Sequence, residues 1–379
     1  MKKKEKTYIR RLADEYRGDG AVPECPHFGE CGGCLFQDIP YEGQLALKAR
    51  MVNDTLGEIG SVDRVVPSIP YRYRSRMDLV TAFGKFGLRR RGSYRVVVDL
   101  GCCRIMQEKS DELFKKMRLL VQAVEGYDYL RHQGYLRYAV LRQARFTGQV
   151  MVNFVVAERE NRLGDLLDAI KGDADSITLI HNGGLADLSY GEILETVKGG
   201  HIEECFDGVR YRITPNSFFQ SNAEIALAMY RRIRDEARGR VLDLCAGVGS
   251  ISLFIAGTAE RVTGVEVSAE AVETARVNAA GNGVANAEFI CADAKDFLSS
   301  EPGGYDSIVL DPPRSGMQAK VMEMIDRMDA GKIVYMSCNP KTFREDVAVL
   351  RNYRLESVEA YDMFPQTPHV ELLGVLRRI

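Results

Sequence analysis

Cys338 stands between an apolar run that reads as a buried strand, 331–337, and a helix opening at Pro340, with Asn339 in between. A thiol at such a junction lies at the carboxyl edge of a sheet, where open α/β sheets bind their ligands. The positive end of the following helix lowers a thiol's pKa from ~8.5 and enriches the nucleophilic thiolate. One acid belongs to the same edge. Asp311 follows the apolar strand 307–310 and opens the rigid loop Asp311-Pro312-Pro313-Arg314-Ser315-Gly316. Glu371 opens the terminal apolar strand 372–376 beside a partly apolar loop; by sequence alone it reads first as a surface glutamate, and burial there would instead raise its pKa toward general-base duty.

A second group of residues reads as a nucleoside site. The strand 240–244 runs into Asp243-Leu244-Cys245-Ala246-Gly247-Val248-Gly249-Ser250 and then a helix. Gly247 and Gly249 let the backbone approach a ligand closely, and Asp243 sits at the end of the strand. The next strand, 261–267, carries Glu266 where a carboxylate would accept both hydroxyls of a ribose, and a third strand leads to Asp293, placed to meet a base. Loop, carboxylate and third-strand acid in that order are a strong signal. The loop is no Walker sequence and lacks G-x-G-x-x-G. Cys245 within it reads as packing.

Cys25, Cys31 and Cys34 form a C-x5-C-x2-C array closed by Gly32 and Gly33, and Cys102-Cys103 after the apolar strand 95–100 offers a fourth thiol. Four soft thiolates suit zinc or an iron–sulfur cluster, and a three-plus-one spacing is closer to ferredoxin-type clusters than to paired zinc ribbons. His27 reads as a loop residue.

These residues need a scaffold. From 214 onward strands and helices alternate, the pattern of a doubly wound parallel sheet. Before it, residues 25–213 read as an α+β unit of hairpins, with helices near 41–56 and 163–170. Residues 1–24 read as a short basic arm whose lysines touch phosphates or stay solvated. The stretch 71–95 interleaves Tyr71, Tyr73 and Tyr94 with arginines that include Arg72, Arg74, Arg89 and Arg90, and Asp78 is its only acid. Aromatics can stack bases while arginines pair phosphates, so this segment reads as a nucleic-acid surface. The formal net charge of −2 argues mildly the other way, but it averages over this segment. No apolar run is long enough for a membrane span and no secretory leader opens the chain, so a cytoplasmic protein is expected. Nine cysteines then read as ligands and catalysts rather than disulfides. No coiled-coil heptads appear, and a monomer is expected.

Taken together, the cysteine array, Ser217-Phe218-Phe219-Gln220-Ser221-Asn222, the loop from Asp243 to Gly249, Asp311-Pro312-Pro313-Arg314, Ser337-Cys338-Asn339-Pro340 and Pro368-His369-Val370-Glu371 resemble the RNA uracil-5-methyltransferases. The resemblance implies a class I S-adenosylmethionine-dependent methyltransferase domain, Rossmann-like, at 214–379, and an iron–sulfur RNA-binding α+β domain at 25–213. It implies that Cys25, Cys31, Cys34 and Cys103 ligate a [4Fe-4S] cluster; Cys103 is favoured because one residue separates it from an apolar pair, Ile105-Met106, and Cys102 stays possible. It places Gln220, Glu266 and Asp311 against cofactor or target base, the Gly247 loop around the methionine end, and Phe218 with the arginines against RNA. Cys338 would add to C6 of the uracil, Glu371 would take the C5 proton, and the target base would flip out to be reached. Ribosomal RNA is the first expectation for the substrate and the transfer RNA T loop the second. The competing class is a non-catalytic iron–sulfur RNA-binding protein on a methyltransferase scaffold.

Overall fold

The computed structural model describes residues 3–18, 20–300 and 303–379. The chain opens with helices α1 (Lys3–Tyr16) and α2 (Tyr41–Leu56) and the short strand β1 (Val65–Val66). Residues 1–24, read as an arm, thus contain a helix; Met1 and Lys2 lie outside the described residues, as do the side chains of Lys3 and Lys6. Ile9, Leu12 and Ala13 of α1 bury against Phe36, Ile39 and Leu47. Each large aliphatic chain removed from water contributes ~1.5–3 kcal/mol, which holds α1 against the body.

A seven-stranded sheet follows, in the order β4-β3-β2-β5-β6-β7-β8. Its strands are β2 (Arg76–Ala82), β3 (Lys85–Arg89), β4 (Val97–Asp99), β5 (Leu136–Gln143), β6 (Val150–Val156), β7 (Ser176–His181) and β8 (Glu192–Lys198). All pairs are antiparallel except β6 and β7, which α4 (Gly164–Ile170) joins by a crossover. Helix α3 (Glu108–Val121), absent from the sequence reading, packs Leu113, Phe114 and Met117 onto the same core.

The hairpin β9 (Ile202–Phe206) and β10 (Val209–Ile213) leads into the C-terminal layer. That layer alternates α5 (Ala223–Glu236), β11 (Arg240–Leu244), α6 (Ser250–Ala256), β12 (Arg261–Glu266), α7 (Ala269–Gly281) and β13 (Ala287–Cys291). It continues through α8 (Ala294–Ser300), β14 (Ser307–Leu310), α9 (Ala319–Arg327), β15 (Lys332–Ser337), α10 (Pro340–Val347), β16 (Tyr353–Tyr361) and β17 (Glu371–Arg378). The eight-stranded sheet runs β1-β16-β17-β15-β14-β11-β12-β13. β13, β12, β11, β14 and β15 are mutually parallel, and the near-continuous apolar sequence of the central β11, β14 and β15 reflects burial on both faces, whereas β13 forms the edge. Strand order reverses between β11 and β14, which opens a crevice beyond Leu244 and Leu310.

Two boundaries differ from the sequence reading. β1 pairs with β16, and α2 packs Leu45, Val52 and Leu56 on the C-terminal core, so this piece of the 25–213 unit belongs to the C-terminal layer. Ile202, Phe206, Tyr211 and Ile213 of the β9–β10 hairpin also lie in that layer's core, ahead of the expected start at 214. Both segments bury their apolar sides on the later sheet, a long-range preference that local patterning does not encode.

Candidate active site

The register of two antiparallel strands brings the thiol and its acid together. Ser337 of β15 pairs with Leu372 of β17, so Cys338 and Glu371 meet one step beyond that pair. Asn339 caps α10, its side chain accepting from Lys341 N at 3.1 Å while its Nδ2 donates to the Arg314 carbonyl at 3.1 Å. That bond ties the thiol's turn to the loop that follows Asp311. Asp346 braces the same loop from α10, accepting from Met317 N at 3.0 Å.

Electrostatics differ from the sequence expectation at the thiol. Cys338 is pushed up to about 11, by burial first and then by the Glu371 carboxylate, with Arg314 opposing. Here burial and neighbouring negative charge outweigh the end of an eight-residue helix. Glu371 is itself held well above the ordinary carboxyl range by burial and by Asp311, and again Arg314 opposes. Asp311 is raised to about 8 by burial and Asp243, while the Gln220 side chain, 3.4 Å from its Oδ2, pulls the other way. Arg314 is therefore the cation shared by Cys338 and Glu371. Sequence reading left it out of the site because it comes after the rigid prolines with no periodic signal.

The nucleoside loop is shaped by left-handed backbone at alternate positions, φ +66° at Cys245, +56° at Gly247 and +79° at Gly249. A Cβ at Gly249 would stand 2.8 Å from the Phe289 ring, so only glycine fits there. Glu266 is fixed by the backbone, accepting from Gly247 N at 3.1 Å and Ser268 N at 2.9 Å. Asp243 takes a hydrogen bond from Ser252 on one oxygen, but its buried Oδ1 has no partner among the described residues. The Cys245 thiol is driven up to about 12 by burial and then by Glu266, Asp311, Asp243 and Asp293, so all four carboxylates crowd one loop. An orphan acceptor within a ring of acids fits a ligand that brings positive charge and hydroxyl donors, as S-adenosylmethionine does.

Gln220 and Phe218 come from a loop clasped by the seven-stranded sheet. Ser75 N donates to Ser221 O at 2.8 Å and Arg142 to Ser217 O at 2.5 Å. Phe219 packs with Phe206 and Tyr211, which leaves its neighbour Phe218 70% exposed and open to a partner.

A parallel clasp holds the loop before Glu371. The buried Lys48 pairs with the buried Asp362, which also accepts from Tyr41 Oη at 2.8 Å. Gln44 exchanges hydrogen bonds with Gln366, whose carbonyl accepts from both Leu35 N and Phe36 N at 2.7 and 3.1 Å. Leu35 directly follows Cys34, so the cysteine loop is bonded to the loop that carries His369 and Glu371. Breaking a buried pair such as Lys48 and Asp362 strands a charge at a cost of ~3–5 kcal/mol.

Cys25, Cys31, Cys34, Cys102 and Cys103 line one gap, and none is in a disulfide. Burial pushes Cys34 up to about 11 and Cys103 up to about 12, and Cys25 and Cys31 shift the same way. No group of three or more His, Cys, Asp or Glu among the described residues is arranged to hold a metal ion. His27 accepts from Gly101 N at 2.9 Å, a loop-fastening contact.

The basic segment divides. Arg72 donates to the Cys103 and Met106 carbonyls and to Asp111 at 3.2 Å, so it braces the cysteine region and does not face a partner as expected. Its neighbours Arg74, Arg89 and Arg90 line a cleft of about 1070 Å³ that reaches Arg314 and His369. Cys338 itself is set back from that lining. Arg89 pairs with Asp187 at 2.7 Å over the Tyr129 ring, Arg90 with Glu30 at 2.6 Å, and Arg74 lies 5.8 Å over the Phe364 ring. His369, given no role from sequence, lines the cleft and is lowered to about 4 by burial and then by Arg314, so it stays neutral there.

A doubly wound sheet with a nucleoside loop, its acid ring and a thiol at the switch edge defines a class I S-adenosylmethionine-dependent methyltransferase. A family model described as tRNA (Uracil-5-)-methyltransferase matches residues 204–379. The tRNA (uracil(54)-C(5))-methyltransferase of Pyrococcus furiosus is 36% identical, with 100% of this chain and 92% of that protein aligned. An uncharacterized RNA methyltransferase of Thermotoga maritima is also 36% identical, over 93% of this chain and 84% of that protein. The crystal structure of the Pyrococcus abyssi tRNA (uracil-54, C5)-methyltransferase in complex with S-adenosyl-L-homocysteine superposes with a TM-score of 0.81 at 35% identity, covering 91% of this chain and 85% of that one. The chain belongs to the RNA uracil-5-methyltransferase family and is an S-adenosylmethionine-dependent enzyme of that family.

Proposed function

We propose that this enzyme methylates C5 of a uridine in transfer RNA, the uridine at position 54, through a covalent adduct to Cys338. The meeting of Cys338 and Glu371 across β15 and β17 carries the chemistry, and the names of the Pyrococcus relatives carry the choice of RNA. The ribosomal substrate expected first from sequence has no such support.

Uracil C5 is a poor nucleophile until addition at C6 converts the intact ring to an enolate. The Cys338 sulfur adds to C6, breaking the C5–C6 double bond and moving its electrons onto O4. Arg314, acting on both Cys338 and Glu371, is the cation that favours the thiolate. S-adenosylmethionine supplies an electrophilic methyl: C5 bonds to it as the sulfonium S–CH3 bond breaks, and S-adenosylhomocysteine is the leaving group. Glu371 then accepts the C5 proton, the C5–C6 double bond re-forms, and sulfur departs from C6. Asp311, with Gln220 against it, is placed to accept from the ring N–H of uracil, which cytosine lacks.

The experiment is incubation with labelled S-adenosylmethionine and separate transfer and ribosomal RNA transcripts, followed by nucleoside mass analysis. Label in 5-methyluridine from transfer RNA is the expected result. Label from ribosomal RNA alone overturns the substrate, and label in another nucleoside overturns the chemistry.

The thiols around the gap fit a soft metal centre, with Cys25, Cys31, Cys34 and Cys103 as its holders. Four soft thiolates in a three-plus-one spacing suit an iron–sulfur cluster better than the paired spacing of a zinc ribbon. Methyl transfer moves no electron, so the cluster's part is to fix the loop whose Leu35 and Phe36 grip Gln366. Anaerobically prepared protein is expected to contain about four irons and about four labile sulfides per chain. Stoichiometric zinc without sulfide is the opposing result.

A further inference from the structure

We infer that helix α1 is the second wall of the RNA groove and that Arg10 takes a phosphate of the bound strand. The inference rests on the RNA reading above. Its starting point is how α1 is docked. Ile9, Leu12 and Ala13 fix one side of the helix, and on another flank Tyr8 bonds Asp54 while Glu15 pairs with Arg50 at 3.3 Å. With rotation thus fixed, Arg10, Ala13 and Arg17, spaced three and four apart, run along one strip. All three line the cleft that ends at Arg314 and His369.

The charges around this cleft are of two kinds. Arg17, Arg76, Arg89 and Arg90 each have a carboxylate close by, from Asp38, Asp78, Asp187 and Glu30 respectively. Arg10, Arg74, Arg91 and Arg314 line the same cleft without an acidic partner among the described residues. Arg74 and Arg91 are held over aromatic rings, Phe364 at 5.8 Å and Phe28 at 5.0 Å, and Arg91 also donates to Cys34 O. Arg10 is exposed on the facing helix. Unpaired like charges around one concavity repel each other and are relieved by a polyanion threaded between them. A sugar–phosphate backbone entering between α1 and the arginines of the seven-stranded sheet meets cations on both sides before its base reaches Arg314.

The test is binding of a transfer RNA transcript by the full-length protein across a salt series, comparing wild type with Arg10→Glu, Arg10→Ala and Arg10→Lys. Removing one phosphate contact lowers the slope of log K against log salt by about one. Arg10→Glu and Arg10→Ala are expected to show that drop, with affinity at low salt about tenfold weaker for Arg10→Glu, while Arg10→Lys stays close to wild type. S-adenosylhomocysteine affinity, read on the same samples, reports folding, and Arg10→Ala gives the answer if the charge reversal does not fold. Unchanged affinity and slope in the folded variants overturn the inference while the RNA reading stands. A wild type with no salt-dependent RNA affinity removes both.

Discussion

Cys338→Ala is expected to abolish methylation, a fall on the order of 10⁴-fold or more, while S-adenosylhomocysteine still binds. Without sulfur to add at C6, C5 of uracil gains no enolate character, and no other residue at this edge replaces it. Arg314 has no nucleophilic atom, the Glu371 carboxylate is a far poorer nucleophile toward C6 than a thiolate, and Cys245 sits among the carboxylates of the nucleoside loop. The cleanest readout uses RNA carrying 5-fluorouridine at the target. Wild type can add to C6 and methylate C5, but fluorine cannot leave as a cation, so the sulfur–carbon bond persists and the complex survives a denaturing gel. Cys338→Ala should give no such band. Cofactor affinity should hold because Cys338 lies beyond the strand end on the β17 side, whereas the nucleoside loop lies beyond β11. A variant that methylates at the wild-type rate would sink the covalent mechanism and revive the view of the chain as an RNA-binding protein on a methyltransferase scaffold.

The parts of this site legible in the sequence are those each carried by one local segment. Gly247 and Gly249 announce a left-handed loop because few other residues adopt that backbone, and Asn339-Pro340 announces a helix start because cap and N1 preferences are local. What was not legible depends on pairing between distant segments. Nothing near Glu371 says that β17 runs antiparallel beside β15 and so delivers its first residue to Cys338. Nothing near Lys48 says that its ammonium is buried on Asp362, from the far end of the chain. The thiol's environment was misjudged for the same reason: the helix end is local and visible, while the opposing carboxylates arrive from other strands. Arg72 shows the converse. Its composition suits RNA, yet a left-handed φ of 57° turns it among the carbonyls of the cysteine region.

Glu371→Gln should stop the reaction one step later than Cys338→Ala. After methyl transfer C5 bears both a methyl group and its original proton, and only loss of that proton lets the double bond re-form and sulfur leave. Glutamine has the shape but no basicity, so turnover should fall by about 10²- to 10⁴-fold. The methyl label should then collect in a gel-stable protein–RNA complex with ordinary uridine. An unlabelled complex would place Glu371 before methyl transfer, and free 5-methyluridine formed at the wild-type rate would remove it from catalysis. Stability supplies an independent check, because this carboxyl is raised well above 4.5 in the folded chain. A group that binds its proton more tightly when folded contributes stability fully below its unfolded pKa and loses that contribution as pH rises through its folded pKa. Wild type therefore loses stability across that window, and Asp311, raised to about 8, adds to the loss. The amide carries no charge to bury, so Glu371→Gln should melt higher than wild type at neutral pH and show a shallower decline with pH. A variant that is more stable, binds RNA covalently and fails to release it has lost its base and kept its fold.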